Sequence, residues 1–249
     1  MKEWIVGRNP VYETLRAGRR QGFQLRVAES AQEKGRLAEI IQLCARKKLP
    51  IQRVKREQLD SMGSGNQGVA LEVDGYPYQT IHDILLRAEK RQEAPFILIL
   101  DAVQDPQNLG TLLRSAEAVG AHGLLLPFRH TATVTPAVVS SSSGASEHML
   151  IAQANLAQTI TQLKAAGIWV IGLEGSSDAN PPDKVRLDGP LALVIGNEAQ
   201  GMRSLVRQHC DLLLRLPMRG QVDSLNAAVA GSVALYLAWQ ARGFAGAQP

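Results

Sequence analysis

Short apolar runs recur through the second part of this 249-residue chain: "FILILD", "HGLLLP", "IWVIGLE", "LALVIGNE" and "DLLLRLPM". Between them lie segments whose apolar residues fall three and four apart: "LGTLLRSAEAVG", "LAQTITQLKAAG", "GMRSLVRQHC" and a last run from Ala227 to Trp239. Strands apolar on both faces, alternating with helices, predict a parallel sheet covered on both sides. One polar, Ser/Thr-rich section, Arg129 to Ser146, breaks the alternation. The first part is patterned differently. "NPVYETLRAG" predicts a short helix with Pro10 near its start and Gly18 at its end. "FQLRVAES", "PIQRVK" and "NQGVALEV" predict strands, and "KGRLAEIIQLCARKKL" a helix between the first two. The fold class is α/β, with a small α/β domain over 1–75, a linker with a helical piece over 76–94, and a second domain over 95–249.

Composition narrows the class. The chain is 45% hydrophobic and 20% charged, as expected of a globular protein. The start carries an acidic residue and too short an apolar run for a signal peptide. Ala227 to Trp239 falls short of the roughly 20 residues that a membrane span needs. Cys44 and Cys210 stand far apart without CxxC or Cys/His spacing, so free thiols, no metal and a cytoplasmic location are expected. Charge is uneven: residues 1–75 hold 14 Lys and Arg against 9 Asp and Glu, and the remainder 13 against 14. The clusters Arg19-Arg20, Arg46-Lys47-Lys48 and Arg53-Lys55-Arg56 fall mostly at element ends, where they can reach solvent. They suit either a polyanion or a well-solvated surface. No aromatic-rich RNA-recognition signature accompanies them, so binding would rest on phosphate contacts and shape.

In parallel sheets ligands bind beyond the carboxyl ends of the strands. Three such ends lead into polar, small-residue loops: "DAVQDPQNLG", "IGNEAQGM" and "LPMRGQVDSLN". No G-x-G-x-x-G or Walker A sequence follows a strand, which disfavours dinucleotide and P-loop enzymes. Read singly, each polar residue has a bland account. Asn108 caps a helix starting at Leu109; Arg114 is a surface helix residue; Glu198 is a solvated turn residue. Their occurrence at equivalent strand ends weighs against coincidence. "DSLN" adds three polar residues around Leu225 where a helix needs one cap. Asp223 or Ser224 can serve as that cap, which leaves polarity over.

Taken together, Asp101 to Gly120, "LVIGNEAQGM" and "LPMRGQVDSLNAAVAGSVALY" resemble the three ordered motifs of the SpoU (TrmH-type) RNA ribose 2′-O-methyltransferases. The first domain resembles the ribosomal-protein-L30-like substrate-binding domain of that family. The resemblance implies a C-terminal domain tied in a deep trefoil knot, with S-adenosylmethionine as cofactor and a ribose 2′-hydroxyl in structured RNA as target. It places Asn108, Arg114, Glu198, Ser224 and Asn226 at the reaction site, and Gly196, Leu216, Met218 and Leu225 around the cofactor. Ser141 to Ala145 fits the family's small-residue loop, whose plain role is tight packing in the knot. Where relatives often carry His before "QGV", this chain departs from the pattern with Asn66.

The family proposal makes the residue at Arg114 the general base. Arg is effectively always protonated, so gripping a phosphate and orienting the hydroxyl is the safer role. Glu198 would fix its loop or pair with Arg114. The resemblance also implies a homodimer through the C-terminal domain, and a guanosine of 23S rRNA as the leading substrate, because an L30-like domain is present and no long basic C-terminal extension follows the last helix. A tRNA substrate, a catalytically silent RNA-binding assembly factor and a small-molecule α/β enzyme are the alternatives.

Overall fold

A computed structural model describes residues 2–197 and 200–247. The chain forms two compact units, one of Met1–Pro77 with Thr133–His148, the other of Tyr78–Ala132 with Met149–Pro249.

In the first unit the order is β1 (Lys2–Val6), α1 (Arg8–Ala17), β2 (Gly22–Ala28), α2 (Arg36–Arg46), β3 (Ile51–Val54), α3 (Arg56–Asp60) and β4 (Val69–Asp74). The sheet is mixed, in the order β1-β4-β2-β3. β4 runs antiparallel to β1 and β2, whereas β2 and β3 are parallel. A parallel pair requires a crossover, and α2 supplies it. Its Leu37, Ile40 and Cys44 turn inward onto the sheet core with Leu25, Val27 and Leu71. Gly18 ends α1 in the left-handed conformation, its N–H donating to Thr14 O at 3.1 Å.

The Ser/Thr-rich section is more ordered than its composition suggests. Residues Pro136–Ser141 form α6, followed by a turn of 3-10 helix over Ala145–Glu147. Residues 133–148 pack with the first unit, so Ser141 to Ala145 serve packing there. Arg20, with a fully buried side chain, holds Glu147 at 3.0 Å and Glu3 at 2.9 Å. Burial raises the Glu147 carboxyl above its usual range, against the pull of Arg20. At Gly144 (φ 89°) an added Cβ would meet Glu13 Cβ at 2.6 Å, so both the backbone and the space require glycine.

The second unit opens with α4 (Ile81–Arg91), the helical piece expected between the domains. Thr80 and Asp83 form a capping box at its start. Its buried Ile84 packs so closely against the strand that starts at Gly123 that a Cβ there would come within 2.5 Å. There follow β5 (Phe96–Leu100), α5 (Pro106–Ala118), β6 (Gly123–Pro127), β7 (Ile151–Ala154), α7 (Leu156–Ala165), β8 (Trp169–Leu173), β9 (Leu191–Ile195), α8 (Ser204–His209), β10 (Leu212–Leu214) and α9 (Ala227–Ala241). All strand pairs are parallel, in the order β10-β8-β9-β5-β6-β7. β5, β6 and β9 are buried at every residue, which explains their uninterrupted apolar runs. From β5 the chain winds outward to β7, then returns on the other side of β5. The β5 and β9 ends therefore meet where the winding reverses, the usual position of a ligand crevice.

Candidate active site

The two central strands end in loops that are tied together. Asp101, fully buried just past β5, accepts the Arg203 main-chain N–H at 2.7 Å and its Nε at 2.7 Å. Asn197 Nδ2, past β9, donates to Ala102 O at 3.0 Å. The β9 loop closes on itself as well, since Asn197 and Gly201 exchange main-chain bonds of 3.0 and 2.9 Å. Gly196 lies against that closure. A Cβ there would stand 2.3 Å from Gly201 C and Met202 N, so only glycine fits. Glu198 lies outside the described residues.

The second tie joins two helix starts. Asn226 caps α9, its Oδ1 accepting from Ala228 N at 2.9 Å and Val229 N at 3.2 Å. Its Nδ2 donates to Asn108 Oδ1 at 3.2 Å. This corrects two expectations about caps. The α9 cap is Asn226 rather than Asp223 or Ser224, and α5 is capped by Asp105, which accepts from Gln107 N at 2.9 Å. Helix α5 begins two residues before Asn108, leaving the Asn108 side chain for Asn226. One amide at 226 thus fixes both helix starts.

Beside this corner lies an open pocket with a cavity volume of about 190 Å³. Gly196, Leu216, Met218, Ser224 and Leu225 line it, together with Ile195 and Asn197. Asn226 sits between lining residues Leu225 and Ala227, whereas Arg114 is exposed on α5 and is not among the lining residues. A charged lining residue is not foreseen from the sequence. Glu174 follows β8, and both its oxygens accept Arg207 Nε at 3.0 Å. A charged residue directly after "IWVIGL" was the available signal, at a strand end equivalent to those already singled out. The buried Asp101 was likewise passed over as a positioning group.

A second concavity lies in the first unit. Arg8, Lys34 and Arg56 line it with Gln32 and Gln67, and no carboxylate does. Arg8 Nε is steadied by Gln67 O at 3.3 Å. The clusters read as solvent-reaching divide here. Arg20 is buried in its ion pairs, and Arg19 donates to Tyr76 Oη and Pro77 O. Arg46, Lys47, Lys48, Lys55 and Arg56 remain exposed. Asn66 is buried, donating to Asp60 Oδ1 at 2.8 Å and accepting from Gly68 N at 2.9 Å, and so organises its own turn. Among the described residues no group of His, Cys, Asp and Glu is placed to hold a metal ion, and no helix is long and apolar enough to cross a membrane.

Comparison with known proteins gives this geometry a family. The model of the SpoU rRNA methylase family matches residues 95–236, and that of the RNA 2′-O ribose methyltransferase substrate-binding domain matches residues 4–79. Over 244 residues, 96% of each chain, the protein is 42% identical to the putative TrmH family tRNA/rRNA methyltransferase YacO of Bacillus subtilis. The SpoU methyltransferase AviRb from Streptomyces viridochromogenes, solved with AdoMet, superposes with a TM-score of 0.81 at 24% identity, covering 98% of this chain and 91% of that one. An AdoMet-bound rRNA methyltransferase from Sinorhizobium meliloti gives 0.78 at 24% identity, covering 96% and 87%. The solved structures speak for the shared fold; the family model and the Bacillus relative speak for descent. The chain belongs to the SpoU methylase family of RNA ribose 2′-O-methyltransferases.

Proposed function

We propose that the protein uses S-adenosylmethionine to methylate the 2′-hydroxyl of a guanosine in 23S rRNA, working in the cytoplasm as a homodimer. The observation that carries this reading is the Asn226–Asn108 hydrogen bond set at the rim of the pocket. It fixes a polar corner beside apolar walls, as a reaction joining a polar acceptor to an apolar-bound donor requires.

The pocket suits the cofactor by its chemistry. Leu216, Met218 and Leu225 offer apolar surface to an adenine, and the loops at Gly196 and Asn197 present main chain that can read its edge. Glu174, held by Arg207, adds a carboxylate of the kind that receives ribose hydroxyls. When bound, the cofactor supplies an electrophilic methyl group, and no metal is needed. The obstacle is the ribose hydroxyl, a weak acid that would lose its proton to solvent water late in the attack. Ser224 and Asn108 orient the ribose. Arg114 stays protonated, grips the adjoining phosphate and stabilises the negative charge that develops on the oxygen. Glu198 fixes the β9 loop or pairs with Arg114. The trefoil knot belongs to the same reading, because threading would give the β9 loop and the "DSLN" corner the rigidity the site needs.

RNA contact falls to the first unit, where Arg8, Lys34 and Arg56 form a cleft matched to phosphates. The SpoU rRNA methylase match over residues 95–236 supports rRNA, and the substrate-binding match over residues 4–79 supports RNA contact by the first unit. Dimerisation is supported by α9, which leaves Val229, Val233 and Tyr236 substantially exposed at helical spacing. The test is Arg114→Ala. Methylation of unmodified 23S rRNA, read by mass mapping, is abolished while affinity for RNA stays nearly intact and that for S-adenosylmethionine is kept. If the wild type binds no S-adenosylmethionine by calorimetry, the enzyme reading fails. If it methylates tRNA transcripts in preference to 23S rRNA, the substrate assignment moves to tRNA.

A further inference from the structure

We propose that the loop leaving β6, Phe128-Arg129-His130, is a stacking platform for an RNA base adjoining the target nucleotide. The inference rests on the RNA methyltransferase reading and extends it to a recognition element. β6 is buried throughout, yet the residue after it, Phe128, is 66% exposed, the highest value among the large apolar side chains described. Arg129 and His130 are exposed beside it.

The loop is not loose. Thr131 Oγ1 and Ala132 N both donate to Val103 O, at 3.0 and 2.8 Å. Val103 belongs to the loop that leads into α5, whose first turn carries Asn108, so the end of the β6 loop is tied to the approach to that helix. His130 is held in the left-handed region at φ 59°, a conformation that costs a non-glycine residue and persists where the surroundings impose it. The backbone that follows Phe128 is thus held in place.

Position and chemistry select the occupant. Along the carboxyl edge of the sheet, the pocket spans the ends of β8 and β9, Asn108 follows β5, and Phe128 follows β6. Strands lie about 4.8 Å apart, so the platform stands one strand spacing beyond the Asn108 loop, on the side away from the pocket. With the methyl donor in the pocket and the target ribose at Asn108, the RNA strand must continue outward over β6. An aromatic face there takes an unstacked base, whatever its identity. Arg129 is placed for a phosphate, and Pro127 to Ala132 contain no acidic residue to repel one. A lone aromatic between exposed cationic and polar residues suits nucleic acid better than a protein partner, whose contact would need a wider apolar patch.

The experiment compares Phe128→Ala, Phe128→Leu and Phe128→Trp in the full-length protein, using an unmodified 23S rRNA transcript and calorimetry with S-adenosylmethionine. Phe128→Ala and Phe128→Leu raise KM for the RNA roughly 5- to 100-fold, the worth of one stacked base. Phe128→Trp restores it, and its added fluorescence, relative to wild type, is quenched by the RNA. Cofactor affinity is unchanged in all three. The proposal is overturned if Phe128→Leu matches wild type, if the new Trp is not quenched, or if Phe128→Ala changes the mass in light scattering, which would make the loop a self-association contact. Were the wild type to bind no cofactor and methylate no RNA, the underlying reading would fall, and this one with it.

Discussion

Asp101→Asn is the substitution that most directly probes how the site is held. The carboxylate is fully buried and takes three contacts from Arg203: the main-chain N–H, Nε and Nη2, each at 2.7 Å. These do not weigh equally. The Arg203 side chain is 49% exposed, so its guanidinium can turn to water, and its share is that of a half-exposed pair, below about 1 kcal/mol. The main-chain N–H has no such exit. Asparagine keeps one acceptor oxygen but sets an NH₂ against one of the Arg203 donors. The loss is a charge-assisted bond plus a donor left facing a donor, about 2–3 kcal/mol. Thermal unfolding should shift down by about 4–10 °C. Gly196, Asn197 and Gly201 line the pocket and share this loop, so calorimetry should show S-adenosylmethionine binding weakened at least tenfold. Arg203→Ala, which spares the main-chain bond, should shift the midpoint by less than half as much. Equal damage from the two variants, or an unchanged midpoint and affinity in Asp101→Asn, would refute the reasoning.

Three further outcomes are expected. His122 Nδ1 accepts the Phe96 N–H at 3.0 Å and its Nε2 faces Glu93 at 3.0 Å; burial holds its pKa below the usual value, although Glu93 pulls the other way. The unfolded chain therefore takes up this proton first, and the histidine's contribution, full above about pH 6.5, declines as pH falls from there. The gap in melting temperature between wild type and His122→Gln should narrow from pH 7.5 to 5, and a constant gap would count against the assignment. Burial pushes the Cys44 and Cys210 thiols up to about 11 and about 12. A maleimide at pH 7 should leave the native protein unlabelled and take two equivalents after denaturation; rapid native labelling would contradict the packing. Lys34→Glu with Arg56→Glu should weaken RNA binding and flatten the slope of log affinity against log salt by roughly 1.5, with cofactor affinity intact; an unchanged slope removes the cleft from the RNA path.

Elements whose burial follows from local pattern were legible. The runs "FILIL" and "LALVI" could only be doubly covered strands, and β5 and β9 are the centre of the sheet. Shorter pieces escaped: β1 and β7 take their strand form from the neighbours they pair with, β4 and β6, rather than from alternation of their own. Long-range partners escaped entirely. Nothing near Arg20 announces Glu147, 127 residues away, so a buried ion pair read as part of a solvent-facing basic cluster. At the site, small and apolar residues at strand ends showed where a pocket could form. Which polar residue caps α9 was not decidable from "DSLN", because Asp, Ser and Asn are all good caps. The choice fell to Asn226, the one whose amide also reaches Asn108.

The closure of the β9 loop, main chain against main chain at Gly196 and Gly201, bears on how such a protein can diversify. A contour made of backbone tolerates drift in the side chains that decorate it, provided the two glycines and the Asp101 brace persist. Surface loops such as the one at Phe128 carry no such obligation. Inheritance can therefore hold the contour of the pocket constant while the surface around it is rewritten, one exposed side chain at a time.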